Sequence, residues 1–216
     1  MSFLDWAEPE SNSALEYGSN KDVAIVKYPT IHYDDLEPVS IILPNAEQGP
    51  WIAGGAGLRW YQGLPVGDSD IDVFCKNAKQ AQGVIDMIKS YGRYSVKHTS
   101  ENATTLNYSA KTIGQGSWVI QVITKRYYAD MQEVIDNFDL SVCQIATAGE
   151  EWLLGEHTAR DVREKNLRMR LPLVPDAAKR LIKYWTYGYR PVDGLLDHII
   201  NNPEGNWKFN PSEDYN

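Results

Sequence analysis

The stretch Asp68-Ser69-Asp70-Ile71-Asp72-Val73-Phe74, preceded by the glycine turn Gly54-Gly55-Ala56-Gly57-Leu58-Arg59, constrains this chain more than any other part. The alternation of Asp70, Ile71, Asp72 and Val73 is that of a strand with one polar face near its start. Residues i and i+2 on a strand project from the same face, with Cα atoms about 6–7 Å apart, so the two carboxylates converge on one site. Two bare carboxylates repel, which raises a proton affinity unless a cation sits between them. Magnesium takes oxygen ligands and is typically held by one or two carboxylates plus substrate phosphates. Upstream, a glycine turn entering a helix lets backbone N–H groups approach a phosphate. Paired carboxylates beside a phosphate cradle are the parts that two-metal phosphoryl transfer needs.

The surrounding pattern is α+β. Residues 22–28 and 39–43 are short and β-branched and predict strands. Residues 78–91 place Ala81, Val84, Ile85 and Ile88 at helical spacing. Residues 93–109 predict two strands around a polar turn at 100–102, residues 118–126 a strand, ADMQEVIDNF a helix and DLSVCQIAT another strand. Residues 157–167, 176–188 and 192–201 are helical patterns. This order predicts a loosely packed lead-in over 1–20, a mixed-sheet core over 21–150, and a helical subdomain with a polar tail over 151–216. The active site is expected in the cleft between core and subdomain.

Charge narrows the partners. Lys and Arg number 21 against 29 Asp and Glu, a formal net charge of −8. Gripping a long nucleic acid normally needs a basic face to displace counterions, so the balance disfavours a dedicated duplex binder. Cys75 and Cys143 belong to no CxxC pair, and both read as small buried apolar residues; the four histidines lack metal-site spacing. No run approaches a membrane span of about 18 apolar residues, and the acidic N-terminus is unlike a secretory signal, so a soluble cytoplasmic protein without a membrane partner is expected.

The glycine turn, short helix and following (S)DxD strand resemble the DNA polymerase beta-like nucleotidyltransferases. The form GGAGLR is most similar to the poly(A) polymerase and tRNA CCA-adding branch, whose turn reads GGxxR. WVIQVITKR, the helix after it and FDLSVCQIA resemble the later core strands, and RLIKYWTYGY resembles the helix that follows the core in RNA-directed members. The resemblance implies a nucleotidyltransferase fold, two magnesium ions (manganese as the alternative) on Asp70 and Asp72, and Gly54 and Gly55 against the triphosphate. It also implies a third carboxylate that orients or deprotonates the attacking hydroxyl. Strand 118–126 presents Gln121 near the expected place; Asp139 is the candidate for that role and for metal.

Other assignments are read from the residues. Arg59 lies one helical turn beyond the glycines and is a candidate for phosphate or for an ordinary salt bridge. Asp68 suits the turn, with an outer-ligand role as the alternative. Arg180 and Lys183 lie three residues apart on one helix face, where they could clamp departing phosphates, and Tyr184 or Tyr187 could stack on the base. The expected reaction is attack of an acceptor hydroxyl on the alpha phosphate of a nucleoside triphosphate, such as ATP, with release of pyrophosphate. Three functional readings stand. An RNA 3′ end follows from GGAGLR and the RLIKY helix. A small molecule or protein side chain suits the acidic composition and a tail too short for a tRNA-gripping body. A catalytically silent nucleotide-binding module follows from the missing clear third acid.

Overall fold

The structure, a computed structural model, describes residues 25–26, 30–43, 48–109, 116–169 and 177–196. Among them, β1 (Ile25–Val26), β2 (Trp51–Ala53), β3 (Ile71–Phe74), β4 (Arg93–Thr99), β5 (Ala103–Ser109), β6 (Ser117–Ile123), β7 (Ile145–Thr147) and β8 (Trp152–Leu154) build one sheet. Its order is β1-β8-β7-β2-β3-β6-β5-β4. Only β3 and β6 run parallel; the other neighbours are antiparallel. The sheet is therefore mixed, as expected. The helices are α1 (Leu36–Ile42), α2 (Gly55–Tyr61), α3 (Ala78–Tyr91), α4 (Met131–Asp136), α5 (Thr158–Glu164) and α6 (Ala177–Thr186). A small parallel pair, β9 (Asn166–Leu167) with β10 (Arg190–Pro191), stands apart from the sheet. Among the described residues no helix is long and apolar enough to cross a membrane.

Strand alternation splits the apolar side chains between two layers. Ile52, Ile71 and Val73 join the main core with Ala81, Val84, Ile85 and Ile88 of α3. Trp51, Ala53 and Phe74 point the other way and pack with Met131, Val134 and Ile135 of α4. By the two-residue period, Asp70 and Asp72 share the face of Phe74, on the α4 side of the sheet. α3 forms where the sequence predicts it, and Asn77 caps it by accepting from the Gln80 N–H at 2.9 Å.

Several expectations need correction. Residues 39–43, read as a strand, lie almost wholly in α1. Pro38 is tolerated in the first turn, where its missing N–H has no intrahelical acceptor to lose. Val39 and Ile42, three residues apart, are both buried, so tertiary packing overrides β-branched propensity. The segment 139–147 is not one strand: Ser141–Cys143 is a 3-10 turn and only Ile145–Thr147 pairs in the sheet. The Thr158 hydroxyl donates to the Ser141 carbonyl at 2.8 Å and the Ser141 hydroxyl to Asp161 at 2.6 Å, so α5 holds that turn. Beyond residue 150, β8 completes a hairpin with β7 and pairs with β1. Val162, Leu167, Leu181, Tyr184 and Tyr189 belong to the main core, so the C-terminal helices are continuous with it. The lead-in 1–20, the tail beyond 196 and most of the strand predicted over 22–28 lie outside the described residues, as does the second half of the helix predicted over 192–201.

Candidate active site

β3 lies between β2 and β6, with Asp72 opposite Ala53 on one side and Gln121 on the other. The carboxyl of Asp72 is pushed up to about 7, first by burial and second by the neighbouring Asp70 charge, with Lys183 of α6 pulling the other way. The pair therefore carries a shared excess of negative charge that a cation would relieve. Two hard carboxylates suit magnesium or manganese, so this donor set fits the metal that the sequence pattern implies. The Gln121 side chain reaches across from β6, its Nε2 donating to Asp70 Oδ2.

The glycine turn abuts this pair. Gly54 has φ 75°, a conformation that suits glycine, and an added Cβ would stand 2.9 Å from the Phe138 ring and 3.9 Å from Asp72 Oδ2. Its N–H donates to the Ile145 carbonyl at 3.0 Å and its carbonyl accepts from Leu58 N–H at 2.9 Å. The N–H of Gly54 is thus engaged by the neighbouring strand, and the residue makes the turn. Gly57 packs directly on Ile145, whose carbonyl oxygen lies 3.1 Å from where its Cβ would be. Gly55 opens α2, and a Cβ there would meet nothing within 4 Å. Gly55 is the glycine left with room for a ligand to approach.

Arg59 does not turn toward the carboxylates. Its Nε donates to the Pro65 carbonyl at 2.6 Å, and its Nη2 lies 3.3 Å from the position a Cβ on Gly67 would take. It fastens the 65–67 loop that leads into Asp70. Asp68 is exposed in that loop.

Asp139 is taken by another partner. Arg180 of α6 donates from Nε to its Oδ2 at 3.0 Å, and Nη2 lies 2.8 Å from the same oxygen as an ion pair. Among the described residues no three His, Cys, Asp or Glu side chains converge as a metal-holding group. The structure thus does not gather Asp139 with Asp70 and Asp72, and it gives Arg180 the work of tying α6 to the start of the 139–147 segment. Lys183, one turn further along α6, is exposed and acts electrostatically on Asp72. Tyr184 is buried, accepts from the Cys143 thiol at 2.9 Å and stands edge-on to Tyr187 and Tyr189. Burial pushes both the Tyr184 hydroxyl and the Cys143 thiol up, the thiol to about 12. Tyr184 thus packs in the core, whereas Tyr187 is exposed.

Sequence reasoning missed Asp35. It is buried, and its Oδ2 accepts from Trp60 Nε1 at 2.8 Å and Val66 N–H at 2.7 Å while Oδ1 accepts from Trp118 Nε1 at 2.7 Å. One carboxylate thus joins the turn before α1, helix α2, strand β6 and the loop into Asp70. Nothing in the sequence separates it from its exposed neighbour Asp34.

A protein-family model described as "Gabija anti-defense 2 family protein" matches residues 26–165. A search of curated proteins finds no match. Among solved structures, the chain is similar to a CCA-adding enzyme in complex with ATP, with a TM-score of 0.53 and 16% identity over 71% of this chain and 38% of that one. It is also similar to the Bacillus stearothermophilus CCA-adding enzyme in complex with CTP, with a TM-score of 0.53 and 15% identity over 79% of this chain and 44% of that one. At such identity the likeness concerns the fold, which is an α+β nucleotidyltransferase-like core. The chain spans less than half the length of these enzymes.

Proposed function

The chain belongs to the Gabija anti-defense 2 family, and from that premise we propose that it is a metal-dependent nucleotidyltransferase acting in counter-defence. It would move a nucleoside monophosphate from a triphosphate to an acceptor hydroxyl and release pyrophosphate. The observation that carries the reading is the Asp70–Asp72 pair. The carboxyl of Asp72 is raised by burial and by Asp70, and the pair stands beside a glycine turn whose Gly54 Cβ position is 3.9 Å from Asp72 Oδ2.

Asp70 and Asp72 would hold the divalent ion, which when bound neutralises phosphate charge and polarises the alpha phosphate. Gly55 lets the triphosphate come close to the first turn of α2, where backbone N–H groups lack intrahelical acceptors. Lys183 supplies a cation next to Asp72 for charge that develops on the leaving pyrophosphate. Asp35 and Arg59 keep the loop into Asp70 in place.

For the acceptor, the net charge of −8 favours a protein or small-molecule hydroxyl over a long RNA. An RNA 3′ end is the competing outcome, suggested by the fold of the CCA-adding enzymes. A second reading, a silent nucleotide-binding module, draws on the capture of Asp139 by Arg180.

Incubation with each alpha-labelled nucleoside triphosphate and magnesium, with total cellular RNA, protein and small-molecule extract as acceptors, tests all three. Label entering protein or a small product, and lost in Asp70→Asn/Asp72→Asn, supports the proposal. Label entering RNA instead revises the acceptor. Retained nucleotide binding without transfer under any condition supports the silent module.

A further inference from the structure

The geometry points to Gln121 as the third arm of the site, a neutral positioning residue that pins Asp70 and adapts the pocket to one divalent cation in place of two. This inference rests on the metal-site reading above and deepens it.

β6 runs parallel to β3 with Gln121 in register with Asp72, so its side chain rises on the face that Asp70 and Asp72 share. Contact with Asp70 is direct, since Gln121 Nε2 donates to Asp70 Oδ2. An ionised carboxylate accepts only, so the amide turns its NH2 toward Asp70 and keeps Oε1 as a neutral oxygen donor. The hydrogen bond fixes one Asp70 oxygen and uses part of its lone-pair capacity.

A two-metal centre holds ions about 3.5–4 Å apart, and their mutual repulsion has to be offset by bridging anionic ligands. Here the nearby charges are two carboxylates opposed by Lys183. The other candidate acid, Asp139, is bound by Arg180. No group of three His, Cys, Asp or Glu side chains that could hold a metal forms among the described residues. Two carboxylates with a neutral amide match the requirement of a single magnesium-like ion, which is commonly held by one or two carboxylates.

The test is a titration with Mn2+ alone, reading bound and free ion by electron paramagnetic resonance and heat by calorimetry, on the full chain. Wild type should take up one Mn2+ per chain. Gln121→Ala should keep that stoichiometry and lose about tenfold in affinity, the usual effect of removing a residue that orients a metal ligand. Gln121→Glu should admit a second ion or tighten the first about tenfold or more. Far-ultraviolet circular dichroism and melting curves identify a variant that has merely lost its fold. Two ions bound by wild type, or Gln121→Ala and Gln121→Glu both binding Mn2+ as wild type does, would overturn the inference while leaving the metal-site reading intact. No Mn2+ uptake by wild type, matching Asp70→Asn/Asp72→Asn, would overturn both.

Discussion

Arg180 holds Asp139 through a single carboxylate oxygen, Oδ2, which accepts from Nε at 3.0 Å and lies 2.8 Å from Nη2. The contact joins α6, which carries Lys183, to the segment leading into β7. Lys183 therefore reaches Asp72 from a helix whose position depends on this pair. Arg180→Ala and Asp139→Asn should each loosen α6. A double-mutant cycle should return a coupling of about 1 kcal/mol, a modest value because the Arg180 side chain is 38% exposed. Additive single effects in urea melts would show the pair to be energetically idle.

Asp35 faces three neutral N–H groups in a buried setting. Asp35→Asn turns an amide NH2 toward donors that need an acceptor, and the cost should be about 2–3 kcal/mol. Trp60 and Trp118 report on the site directly, so guanidinium unfolding followed by tryptophan fluorescence is the measurement. A midpoint equal to that of wild type would mean the network relaxes around the change.

The glycines separate turn geometry from ligand access. Gly54→Ala places a Cβ 2.9 Å from the Phe138 ring at φ 75° and should cost about 2–3 kcal/mol. Gly55→Ala meets nothing within 4 Å and should leave stability unchanged or raise it by about 0.5 kcal/mol, since alanine favours helix. If triphosphate approaches this turn, Gly55→Ala should still weaken binding of a fluorescent ATP analogue by about tenfold, or 1.4 kcal/mol. Unchanged binding would remove Gly55 from the nucleotide site.

The legible parts of the sequence were those where a short period or a special residue fixes the backbone. α3 follows from Ala81, Val84, Ile85 and Ile88, and the turn at Gly54 follows from its glycines. The shared face of Asp70 and Asp72 follows from a two-residue period. The missed features depend on partners distant in sequence. Val39 and Ile42 became helical because they pack in a core that no local window contains. Arg180, Tyr184 and Arg59 were assigned by residue type and helix face. Their actual partners, Asp139, Cys143 and Pro65, were set by how α6 and the 65–67 loop fold back. Gln121 was visible only as the absence of an acid, and its contact with Asp70 needed the parallel pairing of β3 and β6.

Asp72 predicts a stability cost that the metal should cancel. Its folded carboxyl titrates near 7, whereas an unfolded aspartate titrates near about 4. Between those values the native state binds more protons than the unfolded state, so stability falls as pH rises through the window. Below about pH 4 both states are protonated and the group contributes nothing; above 7 the penalty is complete. Asp72→Asn removes the charge, so in EDTA at pH 8 the variant should be more stable than wild type by about 2 kcal/mol. That is about half of what the full shift implies, because Asp72 is not fully enclosed and water still reaches it. At pH 4 the two proteins should melt together. Magnesium should then stabilise wild type at pH 8 and leave Asp72→Asn nearly unmoved, because only the intact pair binds it in the folded state. Thermal melts at the two pH values, with EDTA and with magnesium, read all of this. Equal stability of wild type and variant at pH 8 in EDTA would show that Asp72 is ionised without strain, and the argument for a cation between the two carboxylates would lose its physical basis.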